Sequence, residues 1–440
     1  MLKATIIALG MLWAVMAQSA DLLQIYKQAQ TQDAVYASAR AAWQAAQEKL
    51  PQGRAALLPN IGLTANTEFN DRDIQFREPS ANSGTTRFNS NGIALQLTQP
   101  LFNMQAFALY DQAKTLVAQS DAQLVQAQES LITRVAQAYF DVLLAQDNVA
   151  LAQANTAALA EQLAQAKRNY DVGTGTIVDV NDAQARSDLA HAQEISAQND
   201  LEVKRRALQQ ITGTPAPKLA SLGPRFTVTL PQPANMDKWV DQAYATSPQV
   251  HTAQLQLQFA KQDIDRARSG HYPTVNAIAS YGHTGVGSGT QGGPGNDTTD
   301  AVIGLQFAMP IFQGGLIRSQ VREAVANEQK AQDDLENSRR STALATRQAF
   351  LGVTSGAAQV KALEAALKSS ESSLQSNKLG QKVGVKTEID VLNAQQQLFN
   401  TRTQLAQAKY SYITSLLSLK AAVGTLSQDD LVKINSWLVH

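Results

Sequence analysis

Four segments of the chain alternate between apolar and polar positions. NIGLTANTEF (60–69) sets Ile61, Leu63, Ala65, Thr67 and Phe69 against Gly62, Thr64, Asn66 and Glu68, and GIALQLTQ (92–99) sets Ile93, Leu95 and Leu97 against Gln96 and Thr98. AVIGLQFAM (301–309) places Ile303, Leu305, Phe307 and Met309 opposite Gly304, Gln306 and Ala308, and VNAIASYG (275–282) shows the pattern more weakly. A period of two over about ten residues, polar on one side, predicts strands that face lipid with their apolar side. The links 70–90 and 285–299 are polar, and the second is Gly-rich, as outward loops would be.

Elsewhere the pattern is helical. No proline lies between Pro100 and Pro215 or after Pro310, and no glycine from 103 to 171, where Ala, Gln, Leu and charged residues dominate. Such material favours helix, and one helix over 103–171 would span about 100 Å. Its counterpart, 316–382, contains Gly352 and Gly356, which predict a bend or a close helix contact. Helices of that length need neighbours throughout. Segments 21–57 and 176–211, each about 54 Å if helical, are expected to lie end to end beside the first, and 236–269 and 387–423 beside the second. Small residues at heptad-like spacing permit close packing. On helical composition alone, an extended coiled coil without a channel fits as well.

The halves are copies. VGTGTIVDVNDAQ from Val172 returns as VGVKTEIDVLNAQ from Val383, 211 positions on, and the same offset pairs Leu208 with Leu419, Gly213 with Gly424 and Thr214 with Thr425. TQPLF (98–102) returns as AMPIF (308–312), and LLPNIGLTA (57–65) has a weaker echo in HYPTVNAIA (271–279). The chain reads as a tandem duplication: a first structural repeat over 21–213, a linker over 214–235, a second repeat over 236–425 and a C-terminal segment over 426–440.

Composition narrows the function. The 37 basic and 37 acidic residues balance, so neither a nucleic-acid footprint nor a polybasic membrane patch is supported. The absence of cysteine excludes disulfides, thiolate metal sites, cysteine nucleophiles and lipid attachment through Cys. Residues 1–20, with Lys3 ahead of a short apolar run and small residues after it, read as a secretory signal peptide. The run is short for a membrane anchor, which needs about 20 residues, and no later stretch reads as a transmembrane helix. The exported chain therefore stays soluble or meets a membrane some other way. Four strands cannot close a barrel, since about eight is the usual minimum; either several chains share one barrel, or two soluble hairpins pack on helices. The five histidines show no metal-ligand spacing, and GVGSGTQGGPG lacks the Lys-Ser/Thr of a phosphate loop. No catalysis, metal or cofactor is expected.

Taken together, the two VG turns with their Asp-Val, the strand ends QPLF (99–102) and PIFQGG (310–315), LLPNIGL (57–63) and AAVGTLSQDDL (421–431) resemble the TolC-type outer-membrane efflux channels over essentially the whole mature chain. The resemblance implies a mainly α chain with transmembrane β: a homotrimer whose twelve-stranded barrel, four strands per chain, stands in outer-membrane lipid and continues as a long α-helical periplasmic barrel. It further implies a passive duct, not an enzyme, for type I protein secretion or small-molecule multidrug efflux. Partners would be a periplasmic adaptor (membrane fusion) protein and an inner-membrane ABC or RND-type transporter. The alternative from another class is a periplasmic or secreted coiled-coil bridging protein.

In this frame the two turns, at Gly173 and Gly384, are the tips of two helical hairpins far from the barrel, six tips in a trimer. Thr176-x-x-Asp179 and Thr387-x-x-Asp390 fit helix N-caps with an acid at the third position. The resemblance also matches Asp390 to an entrance aspartate, Lys386 to a basic tether between neighbouring hairpins and Asp179 to the first-repeat acid. The family's second entrance aspartate is Asn393 here, with Asp182 at the equivalent place of the first repeat, and Gln381 replaces a tyrosine common before the second turn. Three copies of Asp390 near one axis would raise one another's carboxyl pKa.

Overall fold

The structure, a computed structural model, describes residues 19–75, 77, 83–288 and 294–439. The expected signal peptide, except Ser19 and Ala20, lies outside the described residues, as do parts of the two expected loops. In chain order the first half contains α1 (Leu22–Gln32), α2 (Ala34–Gln47), α3 (Lys49–Ala55), β1 (Asn60–Ile74), β2 (Gly84–Phe102), α4 (Met104–Asp171) and α5 (Ile177–Thr212). After the short strand β3 (Ser221–Leu222), the second half contains α6 (Met236–Thr246), α7 (Pro248–Ser269), β4 (Thr274–Val286), β5 (Asn296–Ala308), α8 (Leu316–Lys382) and α9 (Glu388–Val423). Helix α10 (Gln428–Asn435) and strand β6 (Leu438–Val439) follow.

The chain forms two compact units, one of residues 42–122 and 251–337, the other of the remainder. In the first, the four alternating segments make one antiparallel sheet in the order β1-β2-β4-β5. Its register sets Leu63 beside Leu95, Leu95 beside Tyr281, and Ala277 beside Leu305, so the apolar side chains gather on one face. That face is bare: Leu63 is 67 % exposed, Leu305 72 % and Ile303 91 %. Covering each such side chain is worth about 1.5–3 kcal/mol, too much for a stable surface to forgo. Strands β1 and β5 form the sheet's two edges. The strands run further into 70–90 and 285–299 than alternation predicts. Polar cross-strand pairs continue the ladder there, Arg87 with Asp71 at 3.1 Å and Asn70 with Ser90 at 2.9 Å. Helices of this unit join through Trp43 Nε1, which donates to Asp121 at 2.7 Å, and Gln112 Nε2, which donates to Asp263 at 3.0 Å.

The other unit holds the main apolar core: Ile25 and Tyr26 of α1, Val135, Tyr139 and Leu143 of α4, Tyr412, Ile413 and Leu419 of α9, and Leu431 of α10. Tyr139 donates from its buried hydroxyl to the Ala220 carbonyl at 2.8 Å, and Tyr412 donates to the Thr229 carbonyl at 2.7 Å, so the segment around β3 is bound to the helices by polar anchors as well as packing. The long helices have the expected bounds, and α8 passes Gly352 and Gly356 without interruption. These glycines admit α9: a Cβ on Gly356 would stand 3.6 Å from that of Tyr412.

Of the four shorter helical segments, 176–211 and 387–423 form single helices as expected, α5 and α9, and the other two differ. Residues 21–57 form three helices, the first break falling at Asp33, whose carboxylate accepts from Tyr36 N at 2.7 Å and from Arg134 at 2.8 and 2.9 Å. Segment 236–269 breaks at Ser247, which is extended (ψ 123°), because the residue before a proline avoids helical geometry.

Candidate functional site

The two tip turns are built alike. At the end of α4, Gly173 takes φ 78°, and the N–H groups of Thr174 and Gly175 donate to the Asn169 carbonyl at 2.9 and 3.0 Å. At the end of α8, Gly384 takes φ 80°, and Val385 and Lys386 donate to the Gly380 carbonyl at 2.9 and 3.2 Å. Left-handed backbone at one position is why both copies keep glycine there. Each following helix opens with a reciprocal capping box. Thr176 Oγ1 accepts from Asp179 N at 3.2 Å while Asp179 accepts from Thr176 N at 2.9 Å; the corresponding distances between Thr387 and Asp390 are 3.3 and 2.9 Å. The expected N-caps are therefore present at both tips.

Charge distinguishes the turns. Lys386 Nζ stands 3.6 Å from Asp390 Oδ1 of its own chain. The Thr387 backbone N–H, then its hydroxyl and the Lys386 ammonium, hold the Asp390 carboxyl below the usual aspartate range. Burial, helped by the charge of Asp179 on the other hairpin, pushes Glu388 up. Arg186 Nη2 of α5 donates to Asn393 Oδ1 of α9 at 2.9 Å, and Leu392 is buried with Leu159 and Ala190. Thus the structure brings Asp179 toward Glu388 and Asn393 to Arg186. Asp182 lies half-buried on α5, one turn beyond Asp179.

Arg186 and Glu388 were not singled out from sequence, yet a signal existed: the 211-residue offset puts Gln397 against Arg186 and Ile177 against Glu388. The cross-hairpin contacts fall where the copies diverge. The outermost side chains are aliphatic and exposed, Val172, Val383 and Val385 among them. No group of side chains among the described residues is arranged to hold a metal ion, and no described helix is long and apolar enough to cross a membrane.

A family model described as outer membrane efflux protein matches residues 25–214 and 239–425. The chain belongs to that family. Its members are channels, not enzymes. Among curated relatives, this family member is 33 % identical over 432 residues to the outer membrane protein TolC of Escherichia coli, covering 96 % of this chain and 86 % of that one. It is 30 % identical over 413 residues to the alkaline protease secretion protein AprF of Pseudomonas aeruginosa, covering 93 % and 85 %. Among solved structures, the outer membrane protein VceC of Vibrio cholerae superimposes with a TM-score of 0.78 at 21 % identity, covering 92 % of this chain and 96 % of that one, a likeness of fold.

Proposed function

We propose that three copies of this chain form a passive exit duct across the outer membrane, each supplying four strands to one twelve-stranded barrel and its long helices to a periplasmic tunnel. The observation that carries this is the four-stranded sheet, apolar and bare on one face and open at both edges. Lipid covers such a face, and only closure removes such edges. A soluble coiled-coil bridge would leave both unexplained. The name of AprF, an alkaline protease secretion protein, points to export, so the duct takes cargo from an inner-membrane transporter, of the ABC or RND type, through a periplasmic adaptor that docks at the tips. The expected result is a trimeric mass in detergent and ion-conducting openings in planar bilayers; a monomer as the conducting form would overturn the reading.

The tips are the entrance. Three copies of Asp390, with Asp179 or Asp182 near, converge on the axis, and Lys386 helps hold the closed ring. Two influences on Asp390 oppose each other: convergence of like charges raises its pKa, whereas its own capping contacts lower it. The capping contacts keep the ring charged at neutral pH, so the mouth selects cations, binds multivalent cations as blockers and loses both properties on acidification. Asp390→Asn is expected to weaken cation block severalfold while the helix stays capped, because Thr387 Oγ1 still accepts from the N–H at 390. Undiminished block in this variant would remove Asp390 from the entrance.

A further inference from the structure

In the unit that carries the sheet, a cavity of about 400 Å³ opens where the helices meet the strands. Its walls come from residues 103–105 at the start of α4, the last two turns of α7, the first residue of β4 and the first three turns of α8. Ala267, Ile317 and Ala324 of its lining are buried and make an apolar base. Gly270 lets α8 approach α7 there, since a Cβ on it would stand 3.3 Å from Ile317.

The charges in this lining do not balance. Asp263 Oδ1 accepts from Gln112 Nε2 at 3.0 Å and from Arg266 Nε at 2.7 Å, so that carboxylate and that guanidinium answer each other. The third charged side chain, Glu323, is exposed and forms no ion pair among the described residues. One negative charge is therefore left over. Gln320, Glu323 and Asn327 follow at intervals of three and four, which puts them on one face of α8, and all three line the cavity. Their oxygens accept hydrogen bonds.

The cavity has a defined side. Thr274 lines it and pairs with Ala308. Further along the sheet Asn276 pairs with Gln306, Gly282 with Ala94, and Ala94 with Thr64. Alternation places Thr274 and all of these on the face turned away from Leu305. The cavity therefore opens on the side of the sheet that faces water in the duct.

We propose that this cavity is a binding site for an alkyl polyamine inside the duct. An ammonium sits on the Glu323 carboxylate, further N–H groups donate to the amide oxygens of Gln320 and Asn327, and methylenes cover Ile317 and Ala324. A bare divalent cation is served poorly, because it needs six or more oxygens of which several are charged, and only one uncompensated carboxylate is present. The site rests on the duct reading above and adds to it one cation site per chain at the barrel end of α8, the end away from the tip.

The chain has no cysteine, so single thiols report without background. Met104→Cys places one in the cavity and Thr64→Cys places one higher on the same face of the sheet. In planar bilayers, sulfonatoethyl methanethiosulfonate is applied with or without spermine, both are washed out, and the conductance is read. Each variant should change conductance after the reagent alone. Spermine should slow the reaction severalfold in Met104→Cys and leave Thr64→Cys unaffected; the reagent is an anion, so the protection reflects occupancy and not repulsion between like charges. Adding Glu323→Gln to Met104→Cys should raise the spermine concentration for half-protection about tenfold, the loss expected for one charge-assisted hydrogen bond, without changing the reaction in the absence of spermine. If both thiols react and spermine protects neither, or protects Met104→Cys equally well with Glu323→Gln, the site is overturned and the duct stands. A response at Thr64→Cys alone shows the cavity closed off from the lumen and also overturns the site. Conductance that changes at neither position overturns the duct lining and the site together.

Discussion

Leu305→Arg is expected to abolish accumulation of the protein in the outer membrane, whereas Gln306→Arg, one residue on, leaves accumulation intact and changes conductance. Leu305 sits midway along the bare apolar face of β5, between Ile303 and Phe307, and Gln306 points to the other side of the sheet. An arginine at the middle of a barrel's lipid face costs about 2–4 kcal/mol, and a shared barrel incurs that cost in every chain. In the proposed barrel the opposite face lines water, where an arginine is solvated and acts on passing ions. Membrane fractionation of the two variants beside the parent protein measures this directly. Normal accumulation of Leu305→Arg would mean that something other than lipid covers this face.

Sequence patterning located the sheet because lipid imposes a period of two. It lost the strands beyond that band, where Asp71, Asp73, Thr85 and Arg87 continue the pairing with polar groups on the face that Leu63 and Leu95 make apolar lower down. The long helices were legible to the residue at 316–382, since a Gly-marked turn at each end and an absence of proline between them leave no other conformation competitive. The break at Asp33 was hidden: its main partner, Arg134, is 101 residues away, and an Asp amid helix-forming residues is by itself a weak stop signal.

The tips divide in the same way. Their capping boxes are local, three residues from Thr to Asp, and could be read directly. The contact of Arg186 with Asn393 spans 207 residues and depends on which faces of the two hairpins meet, a matter of tertiary packing. A duplicated chain nevertheless carries its own comparison. Shared positions such as Gly173 and Gly384 serve the backbone, and differing ones, such as Arg186 against Gln397, mark where the two hairpins make different contacts.

The second large effect is expected at that hidden break. Asp33 is 3 % exposed; it caps α2 and receives a two-pronged hydrogen bond from Arg134, which holds its carboxyl below the usual aspartate range. Asp33→Ala strands a guanidinium whose side chain is 31 % exposed, a loss of about 3 kcal/mol, at the lower end for a broken buried pair, and it removes a cap worth about 1 kcal/mol. Asp33→Asn keeps a capping oxygen and should lose mainly the first part. The sign with pH follows from the direction of the shift. A carboxyl with a lowered folded-state pKa stabilises the fold above its unfolded value, about 3.9, and this stability is lost as pH falls through the folded value. The gap in urea midpoint between the parent protein and Asp33→Asn should therefore be constant from pH 8 to about 5 and close in more acid solution, below about pH 4. Glu129, which burial pushes up to about 7, acts in the opposite sense, its contribution fading as pH rises toward neutrality, but it is common to both proteins and cancels in the difference. A gap that persists unchanged to pH 2 would show that packing around Arg134, and not the charge of Asp33, sets the break between α1 and α2.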